Sequence, residues 1–171
     1  SARTLDAVGF GSDAAGSPFE TGQNVLVGLS TEWTQFTIPI PNPAKATALE
    51  GLFYFAENDG EGAGNLWFDD IRFVSLPEGT ITNPRPSFAT EAIERSAGST
   101  FSVNGATLIY DVDGTEVLLN RVGLPFFDFT SSDEDVATVD DLGVGTAVSE
   151  GEATITGEVD GEAAMGTLTV T

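Results

Sequence analysis

An all-β fold is predicted for this chain, because apolar segments of strand length recur along its 171 residues with turn-forming residues between them. The 20 glycines and 8 prolines are spread along the chain, as expected where many turns join short strands. Helical periodicity is almost absent, and its best candidate, residues 89–95, is too short to form a stable helix alone.

The predicted strands alternate apolar and polar side chains or are uniformly apolar, and Gly, Pro, Asn or Asp bounds each of them. In chain order they are Asn24–Leu29, Trp33–Ile40, Leu49–Ala56, Asn65–Val74, Ser102–Tyr110, Thr115–Leu119, Val136–Val139, Gly145–Val148, Ala153–Val159 and Gly166–Thr171, with Leu5–Phe10 as a further candidate. Many short strands of this kind are typical of β-sandwiches.

The chain is predicted to divide near residues 77–86, which contain three prolines and an Asn-Pro pair. This stretch reads as an extended linker or as a strand that leads into a second domain. The predicted organisation is therefore a first domain over 1–76, a linker over 77–86 and a second domain over 87–171.

Acidic residues dominate the charge: 27 aspartates and glutamates face six lysines and arginines, which gives a formal net charge of −21. Nucleic acid and anionic membrane surfaces would repel such a chain, so neither is expected as a partner. No apolar run approaches the roughly 18 residues of a membrane helix, so we expect no membrane insertion. Two interpretations of the acidity stay open, a solvated surface suited to high salt and the binding of divalent cations.

Cysteine and histidine are both absent, which excludes disulfides, zinc sites with the usual ligands, and Ser-His-Asp or Cys-His catalysis. Pairs of carboxylates are the remaining catalytic option, and a glycosidase would need such a pair across a cleft. Nothing in the sequence places a pair in a pocket. We therefore predict no catalytic residue and a protein that is not an enzyme.

The segment YDVDGTE at residues 110–116 lies between two apolar runs. Its Asp-Gly pair suits the positive φ angles of a tight hairpin. Asp111 and Asp113 could also begin a calcium loop, but the glycine and glutamate of an EF-hand are missing in register. The hairpin is the interpretation we favour.

Residues 131–171 carry a motif that begins Ser-Ser-Asp and continues with VATVD, a Gly-containing turn, a small-residue strand, an EG turn and ATIT. This pattern resembles the group 2 bacterial Ig-like domain, in which it forms strands of an immunoglobulin-like β-sandwich. The resemblance implies a spacer in surface adhesins or secreted multidomain enzymes, and an extracellular or bacterial cell-surface location. Asp133, Glu134, Asp135, Asp140 and Asp141 suggest calcium, but turn capping explains them better.

Residues 26–74 resemble the closing strands of a carbohydrate-binding, galactose-binding-like jelly roll, through Glu32–Thr34, Phe53–Phe55 and Asp69–Ile71. A complete jelly roll has about eight strands, and the early ones are missing here. The predicted fold is therefore an incomplete jelly-roll sandwich followed by an immunoglobulin-like sandwich. The chain is either a fragment or is completed by copies of itself or by strands from another chain, because an open sheet leaves edges unpaired.

Candidate carbohydrate-binding residues are Trp33, Tyr54, Asn58 and Trp67. Aromatic rings stack on sugar rings, and polar side-chain groups form hydrogen bonds with sugar hydroxyls. Core packing is the favoured role of Trp67, which lies in a strand predicted to be covered on both faces. The jelly-roll resemblance implies a structural calcium at Asp69 and Asp70. The alternative is an ion pair between Asp70 and Arg72, with Asp69 bonded to backbone.

Two functions follow from these observations. The first is a non-catalytic extracellular carbohydrate-binding-like module with an Ig-like spacer, whose partner is a polysaccharide. The alternative is a structural or adhesive subunit of an extracellular fibre or surface layer, completed by strands from neighbouring chains.

Overall fold

A computed structural model describes residues 4–11, 19–23, 27–46, 51–57 and 64–171. Within these ranges the regular structure is β-strand, with two short 3-10 turns at Pro43–Lys45 and Leu124–Phe126. The strands are β1 (Thr4–Leu5), β2 (Ala7–Phe10), β3 (Thr21–Gln23), β4 (Val27–Gly28), β5 (Tyr54–Ala56), β6 (Ile81–Ser87), β7 (Glu91–Ile93), β8 (Thr100–Ser102), β9 (Thr107–Val112), β10 (Thr115–Leu119), β11 (Arg121–Val122), β12 (Asp128–Ser131), β13 (Ala137–Val139), β14 (Val144–Ala147), β15 (Ala153–Val159), β16 (Glu162–Ala163) and β17 (Leu168–Val170). The predicted all-β class is confirmed.

The second half of the chain packs three sheets around one apolar core. Their orders are β10-β9-β6, β12-β15-β17-β7 with β16 beside β15, and β13-β14-β8. Strict alternation places Ala153, Ile155 and Val159 of β15 inside, while Thr156 and Glu158 face solvent. This inward stripe is the signal from which the sequence predicted a sandwich, and β15 has the predicted bounds.

The hairpin predicted at residues 110–116 is confirmed. Strand β10 pairs with β9 from Thr115↔Val112 onward, so the connecting loop holds two residues. These residues are Asp113 (φ 48°) and Gly114 (φ 75°), and positive φ at both positions matches the right-handed twist of the strands.

Strand β6 lies where the sequence suggested a linker or a leading strand. It pairs with β9 from Ile81↔Val112 to Ser87↔Thr107, with a bulge between Thr82 and Arg85. Polar contacts fasten the bulge, since Asn83 Nδ2 and Arg85 Nη2 each donate to the Asp111 carboxylate at 2.9 Å. The Asn83 hydrogen bond, followed by Arg85, holds the pKa of Asp111 below its usual value.

Several sequence predictions need correction. Residues 33–40 and 64–77 contain no strand. The predicted strand Ser102–Tyr110 is interrupted, because Gly105 takes a positive φ of 70° between β8 and β9. Strand β7 occupies the short helix candidate at 89–95.

Hydrogen bonds and packing join the two halves of the chain. Strand β11 of the second half pairs with β3, which extends the first-half sheet to the order β11-β3-β2-β5. Phe19 packs edge-to-face on Phe126 with ring centroids 5.7 Å apart. Ile38 and Ile40 also contact the core of the second half. The halves therefore share a sheet and part of one core, while the predicted boundary between two domains stays a prediction.

Candidate interaction surface

Residues 64–76 form an extended segment that covers one face of the first-half sheet. Leu66 packs against the small cluster of Leu5 and Val8. Phe68 contacts Phe55 of β5, with ring centroids 4.8 Å apart. These contacts place even-numbered side chains of the segment toward the sheet.

The alternation of inward and outward side chains along this segment is interrupted at Asp70. Its φ of 54° is left-handed, so the two-residue alternation of an extended chain is broken there. Beyond it, the Phe73 ring contacts Phe10 of β2, with centroids 5.5 Å apart, although 54% of Phe73 stays exposed. Trp67 and Ile71 remain outside, with 78% and 55% of their surfaces exposed.

A group of large apolar side chains is consequently left in water on the first half. We call these side chains together the open apolar face: Trp33, Phe36, Leu52, Trp67, Ile71 and Val74, with Phe55, Phe68 and Phe73, which stay 40–54% exposed although each contacts another ring. Contiguous apolar surface that is exposed to water marks interaction sites, because burial of apolar area is the main driving force for association. The prediction of a strand covered on both faces at Asn65–Val74, with Trp67 in the core, is therefore wrong.

The backbone of residues 64–76 lies outside the described sheets. Among the described residues, no backbone-to-backbone hydrogen bond involves residues 64–76. An extended chain with free N–H and C=O groups is a template for a further strand. The open apolar face thus combines apolar side chains with a segment whose backbone pairs with no other described backbone.

The four candidate sugar-binding residues are not brought together as one described site. Trp33 and Trp67 are exposed, at 73% and 78%. Tyr54 is half-buried beneath the junction between the two halves, and its hydroxyl is already bonded. Asn58 lies outside the described residues. Their sugar-binding role stays a prediction.

Tyr54 is seated against two glycines of neighbouring strands. Its ring lies where Gly9 of β2 and Gly22 of β3 leave room, since a Cβ there would stand 2.7 Å and 2.5 Å from the Tyr54 Oη. The hydroxyl donates a hydrogen bond of 2.8 Å to Glu20 Oε1. Arg121 Nε donates to the same oxygen, and its guanidinium lies 5.4 Å from the Tyr54 ring centroid. These contacts tie β11 to the first half.

Both tyrosines of the chain are predicted to resist ionisation. Burial, then the bond to Glu20, raises the pKa of Tyr54. Burial, then a 2.6 Å bond to Asp160, raises that of Tyr110. The unfolded chain releases these protons near pH 10, so the stabilisation is complete below pH 10 and declines as pH rises above it. Absorbance titration should show tyrosinate only as the fold is lost.

Tyr110→Phe provides the control for this titration, because it removes one phenol and leaves the ring. The remaining tyrosinate signal should then report Tyr54 alone. Ionisation of either tyrosine near pH 10 in a protein with native circular dichroism would contradict the prediction.

Asp69 and Asp70 lie beside the open apolar face. Asp69 Oδ1 accepts a 2.8 Å bond from the Asp70 backbone N–H, and Asp70 pairs with Arg72 at 3.1 Å. In the described part of the chain no three acidic side chains converge as metal ligands. The calcium role of Asp69 and Asp70 stays a prediction.

The residues that join the two halves were not predicted from the sequence. Glu20 meets Arg121 across 101 positions, and Lys45 Nζ meets Asp128 Oδ1 at 2.6 Å across 83 positions. Residues so far apart along the chain form no local sequence motif. The scarcity of basic residues is the only available signal, because each of the six has an excess of acidic partners.

Comparison with curated proteins finds no match to this chain. No helix among the described residues has the length and apolarity to cross a membrane. Domains of the bacterial Ig-like family occur in surface or extracellular bacterial proteins, and this all-β fold is typically non-catalytic. The predicted resemblance is confirmed for the second half of the chain: residues 100–170 match the family model of the bacterial Ig-like domain, group 2.

Proposed function

We propose that this chain is a structural or adhesive module of an extracellular bacterial assembly, in which further β-strands cover the open apolar face. The observation that carries the proposal is the extended segment 64–76, which is unpaired to other described backbone and leaves Trp67 78% exposed. Covering this face would pair backbone groups that have no partner in the described backbone, and it would remove apolar surface from water. The Ig-like half supports the first half, since β11 pairs with β3 and Arg121 pairs with Glu20.

Strand addition is tested with a neutral synthetic peptide of about nine residues that alternates valine and threonine. Both tryptophans of the chain, Trp33 and Trp67, belong to the open apolar face. A bound strand should therefore shift their emission to shorter wavelength and protect amide protons of residues 64–76 from exchange. Ile71→Asp should weaken binding at least about tenfold, because it places a charge within the covered surface.

The matched control is Val148→Asp, which introduces the same charge at a 46% exposed position of the Ig-like domain. It should leave peptide binding unchanged, and both variants should unfold within about 1 kcal/mol of the parent chain. If the peptide produces neither an emission shift nor amide protection, and the chain stays monomeric at high concentration, strand addition is refuted.

A second candidate function is polysaccharide binding, favoured by the exposure of Trp33 and Trp67 at 73% and 78%. Exposed aromatic rings provide stacking platforms for the apolar faces of sugars. In affinity electrophoresis, soluble polysaccharides should retard the parent chain, and Trp67→Ala should restore most of its mobility. Leu142→Ala, at a 50% exposed position of the Ig-like domain, serves as the control. Equal migration with and without polysaccharide would eliminate this candidate.

A further inference from the structure

We propose that the strand that covers the open apolar face is an apolar β-strand flanked by basic residues, and that it comes from a polypeptide other than a second copy of this chain. This inference rests on the proposed function and specifies the chemistry of its partner. Two features of the face support it, the geometry of its backbone and the sign of its charge.

The backbone geometry favours a strand over other occupants. Residues 64–69 are extended and keep the alternation that places Leu66 and Phe68 inward and Trp67 outward. A strand added beside residues 64–69 could pair with their backbone, and its side chains would pack beside apolar side chains on both faces of this segment. A helix would leave the free N–H and C=O groups of this segment unsatisfied.

The charge of the face selects the partner. The described segments that carry the face, residues 27–40, 51–57 and 64–76, contain the acidic residues Glu32, Glu57, Asp69 and Asp70 and the single base Arg72. Four negative charges and one positive charge leave a net charge of −3. Arg72 is also engaged by Asp70, so little positive charge is available to an acidic partner. Basic residues at the ends of an added strand would meet the carboxylates of Glu32 and Asp69.

The acidity of the chain disfavours a second copy of it as the partner. Each copy carries a formal charge of −21, so two copies repel one another at low ionic strength. Their faces would also bring carboxylates against carboxylates. High salt screens this repulsion, since the Debye length falls from about 10 Å at 0.1 M to about 3 Å at 1 M. Self-association through the face is therefore expected to be weak in dilute buffer.

The test compares three synthetic peptides that share one valine–threonine core. One ends in lysines, one in glutamates, and the third is uncharged. At low salt the lysine-flanked peptide should bind at least about tenfold more tightly than the glutamate-flanked one, as measured from tryptophan emission. In 1 M NaCl this difference should nearly vanish, while binding of the uncharged peptide should persist.

An Asp70→Asn variant of the chain provides an internal check. Asparagine tolerates the left-handed backbone at this position, so the segment should keep its path. The substitution removes one carboxylate and frees Arg72, and it should reduce the preference for lysine-flanked over glutamate-flanked peptide by about threefold. Glu134→Gln, on the exposed surface of the Ig-like domain, is the matched control and should leave the preference unchanged.

Each contrary outcome identifies what fails. Equal binding of the three peptides overturns the basic partner but leaves strand addition in place. A lysine-flanked peptide with prolines in its core cannot add as a strand. If it binds as tightly as the lysine-flanked valine–threonine peptide, charge attraction alone explains binding, and strand addition is refuted. Dimerisation at low salt with a shift in tryptophan emission makes a second copy the occupant, and overturns the inference. Absence of binding by any peptide, in a chain that stays monomeric, refutes the proposed function as well.

Discussion

Replacement of Phe126 by alanine is expected to lower the free energy of unfolding by about 3–5 kcal/mol, the range for phenylalanine truncations in protein cores. Phe126 is fully buried at the end of the 3-10 turn Leu124–Phe126, and its ring meets Phe19 of the first half edge-to-face. The truncation removes apolar contacts on both sides and leaves a cavity that neighbouring strands cannot easily fill. Urea denaturation followed by circular dichroism measures the loss.

Phe36→Ala is the matched control for this prediction, because Phe36 is 48% exposed and belongs to the open apolar face. Its truncation should change the free energy of unfolding by less than about 1 kcal/mol. Equal losses at Phe126 and Phe36 would show that Phe36 is buried in solution and that the open apolar face is covered.

The second half was largely predictable because its signals are local. Alternation along β15, the two-residue loop Asp113–Gly114 and the turn at Gly143 each specify geometry within a few positions. The strands that pair within this half also show their buried faces individually, because each strand's own sequence alternates apolar and polar residues. The exceptions are the polar bulge at Asn83, which keeps a proline-containing strand in a sheet, the break at Gly105, and strand β7 in place of a short helix.

The first half was less predictable because its arrangement depends on distant partners. Residues 33–40 and 65–74 have the composition of strands, but composition does not supply a neighbouring strand with which to pair. The left-handed Asp70 also interrupts the two-residue alternation, so no single inward face continues through residues 65–74. The Tyr54 seat depends on Gly9, Gly22, Glu20 and Arg121, which meet only in the folded chain.

The packing of Tyr54 against Gly9 and Gly22 predicts a second large effect on the free energy of unfolding. Gly9→Ala is expected to lower the free energy of unfolding by about 2–3 kcal/mol, as in overpacked cores. The new Cβ would overlap the Thr21 carbonyl oxygen and lie 2.7 Å from Tyr54 Oη, so backbone and ring must both move. Movement of the ring weakens its bond to Glu20 and admits water, so the pKa of Tyr54 should fall back toward its ordinary value. Denaturation and the tyrosinate titration should therefore change together.

Gly28→Ala separates this mechanism from a general intolerance of alanine in the first half. Gly28 lies in β4, and a Cβ there would meet no atom within 4 Å. Its replacement should be neutral or should stabilise the chain by about 0.4–1 kcal/mol, because alanine restricts the unfolded state. Equal destabilisation by Gly9→Ala and Gly28→Ala would contradict the proposed seat. A loss confined to Gly9→Ala, with early ionisation of Tyr54, would show that close packing of β2, β3 and β5 under one tyrosine fastens the first half to the Ig-like domain and so positions the open apolar face.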